Sequence, residues 1–256
     1  MKTTIDLNCD MGEGFGAYSF GNDEALLRWI SSANVACGFH AGDPSVMRRT
    51  VKLCLERGVR IGAHPGLPDR QGFGRRTMAL TAEETFDITL YQIGALQAIA
   101  KAEGGTVVQV KPHGALYHMA EEDEAIAKAI AEATRAAGET LALVGLSGGR
   151  LVATGRSLGL RVREEAFADR AYAAGGGLAP RSLPGAVLAD PTAAAAQALR
   201  LAQSGVVATL GGAEASVNAD TICIHGDGPH AALHAEAIYK ALTSAGIRIG
   251  GGGHDE

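Results

Sequence analysis

The sequence predicts an α/β fold built on parallel strands, and three observations carry that prediction. Short runs rich in Val and Ile alternate with helical patterns about seven times, with no linker between them. Several of the runs are continuously apolar, as strands covered on both faces are. Most of them end in a cluster of acids, histidines and glycines. Parallel strands place their C-terminal ends on one face, so these clusters converge there. Core packing has no use for such a face, whereas an active site does. The length of 256 residues suits one α/β barrel or two small domains. No boundary is visible, so residues 1–256 are read as a single barrel domain.

In chain order, a strand over 3–9 runs into Asn8, Asp10 and Glu13, the last two among glycines that let a backbone approach a ligand. A helix over 23–31 opens on Asp23. The strand over 34–38 leads to Gly-Phe-His40-Ala-Gly-Asp43, where Asp43 caps a helix over 44–57 that begins at Pro44 and stops at Gly58. The strand over 59–63 ends at His64, which Pro65 holds extended. Thr81 and Glu84 form a capping box for a helix over 82–103. The strand over 106–111 leads to Lys111-Pro-His113. Residues two apart on a strand share a face, so a strand continuing through 113 points both side chains into the barrel mouth. A helix over 122–137, a strand over 141–145 and a helix over 148–158 follow. The strand over 160–165 ends near Glu164, Glu165, Asp169 and Arg170. The Gly/Pro-rich stretch 173–184 reads equally as a lid or as a plain connection. A helix over 191–204, a weaker strand near 206–210, a strand over 221–225 ending in His225-Gly-Asp227, and a helix over 229–245 complete the chain.

Composition excludes several classes of function. Net charge is −5 and the basic residues are scattered, so neither nucleic acid nor a membrane surface is an expected partner. No apolar run reaches the roughly 20 residues of a membrane span, and no signal segment opens the chain, which points to the cytoplasm. Cys9, Cys37, Cys54 and Cys223 form no C-x-x-C pair and read as reduced thiols. The phosphate-binding G-x-x-x-x-G-K-[ST] loop, a G-x-G-x-x-G ahead of a helix and the G-x-S-x-G elbow are all missing from the sequence.

Each cluster has a chemical reading and a plainer one. Asp10 and Glu13 suit a general base or metal ligands, or else they cap turns. His40 precedes a helix N-terminus, which favours anions. His40, His64 and His113 leave three successive strands, which a structural role alone does not explain. Lys111 suits a carboxylate or phosphate, or balances the acids. Arg170 clamps a substrate carboxylate or pairs with Asp169 to lock its loop. His225 and Asp227 suit an oriented proton-transfer pair. His230 and His234, four apart on a helix, lack the Glu of a zinc-protease motif and read as a solvated face.

The motifs D-L-N-C-D-M-G-E-G-F-G, N-V-A-C-G-F-H-A-G-D-P, I-G-A-H-P-G-L-P-D, K-P-H-G-A-L-Y, E-A-F-A-D-R-A-Y and A-D-T-I-C-I-H-G-D occur in order from residue 5 to about 245. Together they resemble the LamB/YcsF family, the A subunits of ATP-hydrolysing 5-oxoprolinases. The resemblance implies a seven-stranded, TIM-like β/α barrel related to glycoside hydrolases and polysaccharide deacetylases. It implies cleavage of 5-oxo-L-proline to L-glutamate coupled to ATP hydrolysis, with ATP as co-substrate and subunits B and C as partners. Asp10, Glu13, His40, His64, Lys111, His113, Asp169, Arg170 and His225 match the family's polar positions by motif. With the cluster readings above, Asp10, Glu13, His64, Lys111 and His113 are expected to be catalytic, and Asn8, His40, Asp169, Arg170, His225 and Asp227 to bind substrate. No metal is assigned, and the chain's own oligomeric state stays open, a homo-oligomer included. A metal-dependent deacetylase or amidohydrolase is the alternative. Replacing Lys111 with Ala is expected to cut turnover while leaving the barrel folded.

Overall fold

In a computed structural model, which describes residues 2–19, 22–224 and 231–250, seven parallel strands close on themselves. The elements in chain order are β1 (Thr4–Met11), α1 (Asp23–Leu26), β2 (Ser32–Ala36), α2 (Pro44–Arg57), β3 (Arg60–His64), α3 (Ala82–Ala102), β4 (Val107–Val110), α4 (Gly114–Glu122), α5 (Glu124–Ala137), β5 (Ala142–Leu146), α6 (Arg150–Ser157), β6 (Arg161–Phe167), α7 (Pro191–Ser204), β7 (Val206–Ala208), β8 (Glu214–Ser216), β9 (Thr221–Ile224), α8 (Ala231–Ser244) and β10 (Arg248–Ile249). The ring runs β1-β2-β3-β4-β5-β6-β9 and closes where Asp6–Cys9 pair with Thr221–Ile224. Short β10 lies outside the ring, paired with Thr4 and Ile5. The antiparallel pair β7-β8 also lies apart from it, so the weaker strand expected near 206–210 is half of a hairpin and not a barrel strand.

Alternation along β1 sorts its side chains onto two faces. Ile5, Leu7, Cys9 and Met11 join the main apolar core beneath the helices. Asp6, Asn8 and Asp10 line the interior in layers instead. Asp6 accepts from Ser32, Thr221 and Arg60 at the base. One layer up, Asn8 donates to Thr221 and accepts from Asn34, whose own carbonyl oxygen accepts from Gln109. Gly62 leaves room for this layer, because a Cβ there would sit 2.7 Å from Gln109 Cγ. Buried polar groups persist when each finds a partner, and here they stack a hydrogen-bonded column beneath the barrel mouth.

The helix boundaries show which local signals dominate. Asp43 caps α2 by accepting from Ser45 and Val46, and Gly58 ends it in the left-handed conformation. The capping box of α3 and the span of α7 are as expected. The helix expected over 23–31 is only one turn, because Ser31 is drawn into a hydrogen bond with Leu7 and the chain straightens into β2. Asn22 caps it, which frees Asp23 to accept from Gly12 N. The strand expected over 106–111 stops at Val110 and does not continue through 113. His113 is already the residue preceding α4, a helix that the reading of K-P-H-G as a strand end concealed.

Candidate active site

Six of the expected residues meet where the strands end. β1 delivers Asp10. The loop after it delivers Glu13, pinned on both sides as Gly12 N donates to Asp23 and Gly16 N donates to Asp43. The turn after β2 delivers His40, the last residue of β3 is His64, and the segment joining β4 to α4 supplies Lys111 and His113. Although β4 has ended, Lys111 N still donates to Ala63 O and His113 N to Pro65 O. The chain therefore stays alongside β3 and its extension, and both side chains reach the mouth. Glu13, His40, His64, Lys111 and His113 are all buried.

Lys111 is the electrostatic centre. Its Nζ lies 3.0 Å from Asp10 Oδ1 and 2.9 Å from Glu165 Oε1, with Cys223 Sγ at 3.1 Å and Asn8 Oδ1 at 3.3 Å. Burial alone would lower the ammonium's pKa, but the surrounding charges of Asp10 and Glu165 outweigh it and hold the group well above its ordinary range. Tyr117 donates to the other Glu165 oxygen at 3.0 Å. Burial, followed by the charge of Glu165, keeps that phenol protonated well past its usual range.

The histidines form a second centre beside it. His64 Nδ1 lies 2.7 Å from Lys111 O, and its Nε2 lies 3.3 Å from Asp10 Oδ2 and 3.1 Å from His113 Nδ1. His113 Nε2 lies 2.8 Å from Phe73 O. His40 stacks on His113 with ring centroids 3.8 Å apart and planes 4° from parallel. Burial, then the neighbouring His64, pushes His113 down to about 3, and burial followed by His113 and His64 pushes His40 well below its usual range. Glu13 Oε1 lies 3.5 Å from His40 Nε2 and 3.7 Å from His113 Nδ1. Donor atoms of Glu13, His40, His64 and His113 all fall within 4.8 Å of one another, a spacing that can hold a metal ion. Phe73, at φ +55°, presents its carbonyl from a left-handed backbone that non-glycine residues seldom adopt.

Above both centres lies a cavity of about 500 Å³ whose wall includes Asp10, Lys111 and His113 together with Arg75, Arg170 and Arg181. The stretch over 173–184 contributes Leu178, Ala179 and Pro180 to that wall, so it borders the site. Arg170 is buried there and donates to Ala179 O and Ala186 O, which holds this loop in place. Asp169 is buried beside it and its carbonyl accepts from Leu188 N. Asn8 lies one layer below, touching Lys111 from the barrel interior. His225, Asp227 and His230 lie outside the described residues. His234, expected on a solvated face, is buried with Nε2 3.1 Å from Ala189 O.

Sequence reading gave no role to Glu165, Tyr117, Cys223 or Arg75. A signal for Glu165 existed: neighbours on a strand face opposite ways, so one of Glu164 and Glu165 had to point inward. Glu164 turns outward to Ser147 and Arg156. Cys223 is one of four free, buried thiols, and no helix among the described residues is long and apolar enough to cross a membrane.

The model of the LamB/YcsF family matches residues 5–253. The chain is 52% identical to the 5-oxoprolinase A subunit of Bacillus subtilis, over 96% of this chain and 95% of that one. The solved structure of a lactam utilization protein from Thermus thermophilus superposes with a TM-score of 0.94 at 48% identity, covering 97% of this chain and 100% of that one. A polysaccharide deacetylase from Bacillus cereus shares the fold alone, with a TM-score of 0.51 at 14% identity over 100% of this chain and 94% of that one. By the extent of the family match, the identity to its curated relatives and the shared barrel, the chain belongs to the LamB/YcsF family.

Proposed function

We propose that this chain is the A subunit of a cytoplasmic 5-oxoprolinase that opens 5-oxo-L-proline to L-glutamate, acting with subunits B and C and with ATP as co-substrate. The observation that carries the reading is the buried Lys111, bridged between Asp10 and Glu165 in a cavity that Arg75, Arg170 and Arg181 also line. The relatives supply the substrate class, since the Bacillus subtilis protein is named for 5-oxoproline and the Thermus thermophilus protein for lactam utilization.

A lactam is a stable amide, so opening it needs an activated carbonyl, a nucleophilic water and a protonated leaving nitrogen. In the proposed route the lactam oxygen takes the γ-phosphoryl group of ATP as the bond to ADP breaks. Water then adds to the ring carbon, giving up a proton to Asp10 or Glu13. The C–N bond breaks as the nitrogen gains the proton that Asp10 or Glu13 took from the water, and hydrolysis of the resulting acyl phosphate releases glutamate and phosphate. Lys111 stabilises the charge that develops on oxygen, as a preorganised cation in a buried site does. Arg75 and Arg181 face the anionic carboxylate and phosphate.

The test is glutamate release from 5-oxo-L-proline by this protein with and without its B and C partners and ATP. Turnover restricted to the complete mixture supports the reading. Turnover by the chain alone without ATP, or none in the complete mixture with partners of proven activity, overturns it.

A further inference from the structure

We propose that Glu13, His40, His64 and His113 form a binding site for one divalent transition-metal ion, with Asp10 at its edge. The argument starts from where the ring protons are. His64 Nδ1 faces a carbonyl oxygen, Lys111 O, so this nitrogen must donate; His113 Nε2 faces Phe73 O and must donate likewise. In neutral rings the remaining nitrogens, His64 Nε2 and His113 Nδ1, are lone-pair acceptors. These two atoms face each other at 3.1 Å. Two lone pairs do not approach so closely without a cation between or beside them.

The arrangement has the form of metal ligation. Imidazoles that bind a metal commonly fix their orientation by donating the other N–H to a carbonyl, as both rings do here. Two nitrogens each about 2.1 Å from an ion, at angles between right-angled and tetrahedral, lie about 3.0–3.4 Å apart. His40 adds an independent observation: it is fully buried, and neither of its ring nitrogens has a hydrogen-bond partner. Its Nε2 points toward Glu13 Oε1 at 3.5 Å, too long for a hydrogen bond and suited to two ligands of one ion. A buried polar ring without a partner is costly, and a metal ion would satisfy it. Three imidazoles and a carboxylate, with no thiolate, favour Zn²⁺, Fe²⁺ or Co²⁺ over Mg²⁺ or Ca²⁺. Such an ion supplies Lewis acidity beside Asp10.

Co²⁺ is the probe: the full chain is prepared metal-free and titrated while visible ligand-field absorption is followed, with Zn²⁺ added as competitor. One Co²⁺ per chain is expected, displaced by one Zn²⁺. His113→Gln and His40→Gln should each weaken binding by about 10²-fold, whereas His118→Gln, at a residue that lines the cavity but is not one of the clustered donors, should leave it unchanged. Melting curves in metal-free buffer show which variants fold, and Glu13→Gln replaces any that does not. Absence of saturable 1:1 binding, or binding indifferent to these substitutions, overturns the proposal. So does a ¹⁵N spectrum showing a proton shared between His64 and His113 that added Zn²⁺ leaves unaltered. The titration uses no substrate, partner or ATP, so its failure leaves the lactam reading standing, and failure of the lactam reading leaves the metal site standing.

Discussion

Replacing Lys111 by Met removes the cation that bridges Asp10 and Glu165, at 3.0 and 2.9 Å from their oxygens. At an effective dielectric of about 20, each contact is an attraction of about 5 kcal/mol, much of it offset by the cost of burying the charges. What the substitution adds is the penalty of leaving the carboxylates uncompensated, about 3–5 kcal/mol for a broken buried pair. Against a typical domain stability of about 5–15 kcal/mol, that is a large fraction. Urea unfolding at neutral pH, followed by circular dichroism, should therefore show a lower midpoint at an unchanged slope. The double variant Lys111→Met, Glu165→Gln removes one of the stranded charges and leaves a side chain that Tyr117 can still reach, so it should recover at least half of the loss. A single variant within about 1 kcal/mol of the parent, or a double variant no more stable than the single, would refute the charge-balance reasoning.

Other perturbations probe the surroundings of the two centres. In Gly66→Ala the new Cβ would sit 2.8 Å from His40 Cγ, so the imidazole must leave its stack on His113; turnover in the reconstituted enzyme should fall about 10²-fold with folding retained, and an unchanged kcat would contradict this. Asp69 organises the loop that carries Phe73, and hydrogen bonding from Arg76 holds its carboxyl at about 2. A depressed folded pKa gives stability that is complete above the ordinary value of about 4 and lost as pH falls through about 2. The gap in Tm between the parent and Asp69→Asn should therefore be widest near pH 5 and close toward pH 2; a gap independent of pH would count against the pair. Arg170→Ala removes the guanidinium donors to Ala179 O and Ala186 O and leaves Ala171 N still donating to Ala186 O, so limited proteolysis should cut within 173–188 at least 10 times faster, an opening worth about 1.4 kcal/mol. Equal cutting rates would show that the loop is held by something else.

The parts of this molecule governed by local rules were legible in the sequence. Asp43, Pro44 and Gly58 fix both ends of α2 through capping alone, and Thr81 with Glu84 starts α3. The convergence of Lys111 and His113 was also legible, though for an incomplete reason: the strand stops, yet backbone pairing with Ala63 and Pro65 keeps the chain in line. What escaped depends on contacts distant in sequence. Asp6-Leu-Asn8-Cys-Asp10 alternates visibly, but only the closed ring shows that its polar face looks into the barrel and meets Asn34 and Thr221, with Gln109 bonded to Asn34 in turn. The loop carrying Phe73 and Arg75 has no periodicity, and its geometry is imposed by Asp69 and by the histidines it covers. The expectation that the barrel stays folded without Lys111 comes with a stability cost that the sequence did not signal, because the cation lies buried between two carboxylates.

The central claim is that the acids and histidines at the barrel mouth perform the lactam chemistry. Asp10 touches both centres, pairing with Lys111 through one oxygen and with His64 through the other. The most direct measurement is glutamate release by the enzyme reconstituted with its B and C partners and ATP, comparing the parent with Asp10→Asn at matched assembly and matched Tm. Asn keeps the shape and the hydrogen bonding but cannot take a proton, so kcat should fall by about 10²–10⁴-fold. A kcat within a few-fold of the parent would place the chemistry elsewhere.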